Sequence, residues 1–180
     1  MSVAIQRPSP RVSLRPAVPR DAEYLRAWRA EESVRRYQPL NELTVGQLRT
    51  DVASHRMSDL YRSRGEKFQW IVLIDDHPAG WITLVVSNWE HGLAEVGYAL
   101  STQAQGQGVM TEALRLLIDD LFTDTHLERI EARCAEGNLA SQRVLEKLGF
   151  EREGLLRSYF RLPEGRVDNY LFSLLRSDWG

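Results

Sequence analysis

Hydrophobic positions along this chain change period several times, and each change marks an element. Residues 12–14 offer a short first strand. Pro19 and Asp21 then signal a helix start, and Leu25 and Trp28, three apart, share one face of a helix running to about Glu32. Tyr37-Gln38-Pro39-Leu40 ends it in a loop. From Thr44 the helical stripe returns with Val45, Leu48, Val52, His55 or Met57, and Leu60, which predicts one continuous second helix. Residues 68–74 and 81–86 are aromatic and β-branched runs separated by Asp75-Asp76-His77-Pro78-Ala79-Gly80, the pattern of a β-hairpin. A turn over residues 88–92 leads to a further strand over 94–100, so three antiparallel strands follow one another.

The helical period returns at Val109, with Met110, Ala113, Leu114, Leu117 and Leu121 on one stripe. Ile130, Ala132 and Cys134 then alternate with Glu131 and Arg133. A strand reached through a helical crossover can lie parallel to its predecessor, so the sheet gains a parallel step. Asn138 is placed to cap a short helix carrying Ala140, Val144 and Leu148, which Gly149 closes with Phe150 against Leu145. Two long strands, 151–160 and 167–175, flank a turn at 162–165. The expected fold class is α+β: a mixed, mostly antiparallel seven-stranded sheet, about four helices on both faces, and a parallel splay at its centre. Residues 1–10, with Pro8 and Pro10, read as a flexible leader, and residues 11–180 as a single domain.

Composition narrows the chemistry. With 180 residues, 43% of them hydrophobic, the chain can bury a full core, and its 23 basic and 25 acidic residues leave a net charge of −2. That balance gives no wholesale attraction to nucleic acid or to an anionic membrane. One cysteine, Cys134, excludes an internal disulfide and a cysteine metal site, and fits a reducing cytoplasm. His55, His77, His91 and His126 have no metal-ligand spacing, so no metal is expected. No signal peptide or membrane span is legible, which makes a cytoplasmic location the expectation.

The stretch Gln103-Ala-Gln105-Gly106-Gln107-Gly108 joins the strand at 94–100 to the helix that begins with Val109 and Met110. Two glycines two apart let backbone N–H groups converge on one anion at a helix N-terminus. Such groups do not titrate, so they suit a diphosphate, and a nucleotide or coenzyme A is the natural ligand. A Walker loop would need Lys-Ser or Lys-Thr where Val109 and Met110 stand, and a Rossmann fingerprint would need a third glycine near a first strand. The plain alternative is a turn whose glycines only permit a left-handed conformation.

The order strand, two helices, three strands, Gln-x-x-Gly-x-Gly, helix, strand, Asn-x-x-Ser helix ending Leu-Gly-Phe, then two strands resembles the GNAT acetyltransferases over residues 11–180. Glu95-Val-Gly-Tyr98, Glu136-Gly-Asn138-x-x-Ser141 and Asp178-Trp179 resemble most the ribosomal-protein N-acetyltransferase branch, the RimJ/RimL type. The resemblance implies acetyl-CoA as co-substrate, with the loop residues Gln103, Gln105, Gly106, Gln107, Gly108, Val109 and Met110 on its pyrophosphate. It also implies a slot between splayed strands where the pantetheine arm meets backbone near Tyr98 and Leu100, with Asn138, Ser141 and Arg143 as further contacts. The thioester would lie beside Glu95 and Ser141.

Acetyl transfer needs a neutral amine, a route for its proton and an acid for the leaving thiolate. Glu95 is the candidate base, directly or through water, and Ser141 the candidate acid. A salt-bridged strand residue and a helix-cap partner are their respective structural alternatives. The tyrosine that many GNAT enzymes carry before Glu-Lys-Leu-Gly-Phe is replaced by Leu145. Tyr37, Trp81, Trp89, Tyr159 and Asp168 are candidates for the acceptor side, or for packing. Neutralising an α-amine at pH 7 costs roughly 1 kcal/mol, against about 4.6 kcal/mol for a lysine. That cost favours an α-amine, and the resemblance to the RimJ/RimL branch implies a protein or peptide N-terminus as the acceptor, handled by a monomer or homodimer. A polyamine, amino acid or aminoglycoside acetyltransferase, and a non-catalytic coenzyme A sensor, are the alternatives.

Overall fold

Alternation along the strands decides which side of the sheet each residue serves. The computed structural model describes residues 11–180, and the leader read over 1–10 lies outside the described residues. Seven strands pair in the order β1-β2-β3-β4-β5-β7-β6. They are Val12–Pro16 (β1), Lys67–Ile74 (β2), His77–Asn88 (β3), Leu93–Leu100 (β4), Arg129–Ala135 (β5), Glu151–Leu162 (β6) and Gly165–Leu175 (β7). Every pairing is antiparallel except β4 with β5. The helices are Ala22–Ala30 (α1), Glu32–Arg35 (α2), Val45–Ser54 (α3), Met57–Leu60 (α4), Val109–Asp124 (α5) and Leu139–Lys147 (α6). Two of these are single turns, so the four longer helices match the number expected. Among the described residues no helix is long and apolar enough to cross a membrane.

The sheet is covered on both sides. Phe68, Trp70, Val72, Ile82, Leu84, Val96, Ile130 and Ala132 point to the side where α5 lays Met110, Ala113, Leu114, Leu117 and Leu121 and α6 adds Leu145. Ile71, Leu73, Trp81 and Ala99 point the other way, against Leu25 and Trp28 of α1 and Leu48 and Val52 of α3. These opposed cores explain one departure from the sequence pattern. Leu48 and Val52 belong to the α1 side, but Leu60 packs with the α5 side. A straight helix cannot serve both, and the chain breaks at His55 and Arg56, which both have extended backbone. The predicted single helix is therefore two.

Most consequential is where β4 and β5 part. Only Leu93↔Arg129, Ala94↔Ile130 and Glu95↔Glu131 pair, and beyond Glu95 the strands diverge. The remaining half of β4 faces a gap at the centre of the sheet. Two carbonyls of that half are met by side chains: Gln38 Nε2 donates to Tyr98 O at 2.8 Å and Gln105 Nε2 to Leu100 O at 3.0 Å.

Candidate active site

The loop before α5 is shaped by backbone conformation. Gly106 and Gly108 have φ of 75° and 77°, a region that L side chains avoid, and a Cβ added at either would meet no atom within 4 Å. Packing within the chain therefore does not demand these glycines; the left-handed turn does, and so does any ligand that must approach the backbone. Among the described residues no acceptor takes the amide N–H groups of residues 106–111. Those unanswered donors sit at the start of the 16-residue α5, where the helix dipole favours an anion. Gln107 turns back to donate to Gln103 O at 3.0 Å, which helps to close the loop.

These amides open into a cavity of about 560 Å³ that follows the gap between β4 and β5. Its wall carries Gln105, Gly106, Gly108, Val109 and Met110 at one end and Asn138, Ser141 and Arg143 of α6 at the side. Glu95, Tyr98 and Leu100 line its strand side, and Tyr37 closes it from the α2 end. Asn138 caps α6 as its position predicts, its Oδ1 accepting from the Ser141 N–H at 3.2 Å. Gly149, with φ of 82°, ends the helix in the expected way, with the Phe150 N–H donating to Leu145 O at 3.0 Å.

Alternation separates two kinds of chemistry on β4. Tyr98 faces the α5 and α6 side, where its hydroxyl and the Ser141 hydroxyl are 2.7 Å apart. Burial pushes the Tyr98 phenol well above its usual range, with the Ser141 hydrogen bond acting in the opposite sense. The phenol therefore stays protonated at physiological pH. Cys134, also on this wall and buried, has its thiol pushed up by desolvation and so is held neutral.

Glu95 faces the other side and is not free. Arg133 Nη1 donates to Glu95 Oε2, while Glu131 lies 3.7 Å from the same guanidinium. Arg129 bridges Glu131 at 2.9 Å to Glu153 at 2.6 Å, and Tyr159 lies with its ring centroid 5.5 Å from the Arg133 Cζ. Glu95 is thus the end of a row of alternating charges, and its Oε1 has no partner among the described residues. The salt bridge named as the alternative for Glu95 is present, and it leaves Oε1 unengaged. Arg133 is the partner of Glu95 that the sequence did not single out.

The residues from 11 to 151 match the model of the acetyltransferase (GNAT) domain. The chain belongs to the GNAT acetyltransferases. A relative from Bacillus licheniformis, the uncharacterized N-acetyltransferase p20, is 33% identical over 171 residues, covering 94% of this chain and 95% of that one. The ribosomal protein uS5-alanine N-acetyltransferase of Escherichia coli is 34% identical over 84 residues, 47% of this chain and 43% of that protein. A solved spermidine N-acetyltransferase from Vibrio cholerae, in complex with CoA and spermine, shares the fold with a TM-score of 0.80 at 20% identity, covering 93% of this chain and 96% of that one. The chain is an N-acetyltransferase by family; the E. coli relative is named for a ribosomal-protein alanine, and the V. cholerae structure of like fold for spermidine.

Most of the predicted positions converge within this GNAT fold, but six do not line the main cavity. Gln103 and Gln107 lie outside it, exposed on the loop's outer side. Trp81 is buried, stacked on Trp28 at 6.2 Å, and lines a second cavity instead. Tyr159 lies beyond Arg133 rather than on the cavity wall. Of the other acceptor-side candidates, Trp89 is remote, its indole donating to Gly65 O at 2.7 Å, and Asp168 accepts from the Ser158 N–H at 2.6 Å as a turn stabiliser does. Among the described residues there is no cluster of three or more His, Cys, Asp or Glu fit to hold a metal.

Proposed function

We propose that this GNAT chain acetylates the α-amino group of a protein or peptide, with acetyl-CoA as donor substrate. The observation carrying this is the continuity of one cavity from the unanswered amides of residues 106–111 to Glu95 Oε1 and the Tyr98–Ser141 hydroxyl pair. The donor set fits a pyrophosphate: several N–H groups at a helix N-terminus, glycines that leave the approach open, and Arg143 and Lys147 on the same wall. When bound, acetyl-CoA supplies the activated thioester carbonyl.

The chain's own residues then divide the proton work. Glu95 Oε1 accepts the proton of the incoming amine, directly or through one water, while Arg133 keeps the carboxylate aimed. The Ser141 hydroxyl hydrogen-bonds the departing sulfur, which regains through solvent the proton that Glu95 removed, and the neutral Tyr98 phenol, 2.7 Å away, holds that hydroxyl in place. Gln38 and Gln105 hold the carbonyls of Tyr98 and Leu100 until a pantetheine amide competes for them.

An α-amine acceptor is supported by the cost of deprotonation, roughly 1 kcal/mol at pH 7, which a single carboxylate can meet. It is supported also by the E. coli relative whose name records a ribosomal protein alanine as acceptor. The polyamine reading draws on the V. cholerae enzyme of like fold. A thiol-release assay with a chromogenic disulfide, run on N-terminal peptides, free amino acids and spermine, decides among them. Turnover on peptides is the expected result, turnover confined to spermine overturns it, and coenzyme binding without turnover on any amine favours the sensor.

A further inference from the structure

The second cavity, of about 470 Å³, lies on the Glu95 side of the sheet, between α1, α3 and strands β2 to β4. Gln38, Leu40, Gly97 and Tyr98 line both it and the main cavity, so the two meet at β4. Gly97 sits two residues from Glu95 on the same face, and a Cβ there would meet nothing within 4 Å, which leaves the junction open. An amine placed at Glu95 therefore has the rest of its molecule directed along this passage.

The charges in the second cavity do not balance. Asp51, its one lining carboxylate among the described residues, is already held by Lys67 at 2.7 Å. Arg29, half-buried on the wall, donates one N–H to Asn41 O at 3.0 Å and has no carboxylate within 4.0 Å among the described residues. A guanidinium has five N–H donors, and a partly desolvated one with a single neutral partner is a costly arrangement in the free protein. Burial also pushes the Arg29 pKa down, against the pull of Asp51. Gln69, at 8% exposed, brings a second unsatisfied group: its Oε1 is buried without a partner. The wall thus presents an unpaired cation and an unpaired acceptor, the complement of a carboxylate beside a peptide N–H.

We infer that this cavity holds the acceptor and that the acceptor is a carboxylate-bearing amine, its carboxylate on Arg29 and an amide N–H on Gln69 Oε1. This rests on the acetyltransferase reading above and selects among its acceptors. An acidic residue just after the reacting N-terminus meets the requirement. A polycation such as spermine does not, because the lining of two cations and one carboxylate is net positive.

The test uses matched peptides with N-terminal alanine and either Glu or Gln at the second position, with spermine and free glutamate alongside. A charge-assisted contact of this kind is worth about tenfold or more in affinity. The wild-type enzyme is expected to show a KM for the Glu peptide about tenfold below that for the Gln peptide. Arg29→Gln should erase the difference by raising the KM of the Glu peptide to that of the Gln peptide, and Arg29→Lys should restore part of it. The wild-type ratio stands as a test even if Arg29→Gln folds poorly. Equal KM values for the two peptides, or a preference that survives Arg29→Gln, overturn the inference and leave the α-amine reading intact. Turnover of free glutamate with an Arg29-dependent KM, and of no peptide, supports the Arg29 contact but overturns the amide contact at Gln69 and the peptide reading. Acetylation of spermine alone overturns both.

Discussion

The two faces of β4 use the same eight residues in different ways. One face, through Val96, Tyr98 and Leu100, joins the large core under α5 and adds a single hydroxyl pair, Tyr98 with Ser141. The other, through Glu95, Gly97 and Ala99, is small and open, and its one charge is held by a partner on the next strand. On the first face, packing fixes position and polarity is sparse; on the second, the absence of side chains makes room and an ion pair supplies the order. A rigid wall for the donor and an open floor for the acceptor are what a two-substrate transfer requires.

That contrast can be broken first at the loop feeding the packed face. Gly106→Val forces a β-branched residue into φ of 75° and fills the space before the amides. Coenzyme A affinity should fall by more than about a hundredfold by isothermal titration, since several charge-assisted contacts are lost together. On the open face, Glu95→Gln should lower kcat by about a hundredfold, the usual scale for removing a general base, with coenzyme affinity unchanged. Tyr98→Phe keeps the packing and removes the hydroxyl that orients Ser141, so kcat should drop by about tenfold with both KM values preserved. Arg133→Gln should lower kcat a few-fold with the KM for acetyl-CoA preserved, and Arg133→Lys should recover part of the loss, which a merely structural role would not predict.

The smallest expected effect lies at the far end of the charge row. Hydrogen bonds from Arg129 and Ser173 bring the Glu153 carboxyl down to about 2. Its contribution is complete above about 4.5, the value in the unfolded chain, and is lost as pH falls from there towards 2. Because Glu153 is largely exposed, Glu153→Gln should flatten the fall of Tm over that range only slightly.

Sequence periodicity reached the strands, α5, the cap at Asn138 and the glycine loop because each is written in neighbouring residues. It missed the break at His55, since nothing local says that Leu48 and Leu60 serve opposite sides of a sheet. The pairing of Glu95 with Arg133 spans 38 positions and the bond from Gln38 to Tyr98 spans 60. The first depends on how β5 is laid beside β4 after the long crossover α5, and the second on how the segment after α2 lies over β4. Alternation alone already placed Glu95 and Tyr98 on opposite faces, but not which helix each would meet. The aromatic candidates were the least legible, because Trp81, stacked on Trp28, and Trp89, bonded to Gly65 O, suit core or turn packing as readily as a binding wall.

The half-unzipped seam between β4 and β5 makes the protein a sheet with one rung missing. Whatever occupies that seam becomes a keystone as well as a reactant, and mass action ties heat resistance to supply. At a thousand times its Kd, a ligand bound there raises the unfolding free energy by roughly 4 kcal/mol, so a well-fed cell would hold a sturdier enzyme than a starved one.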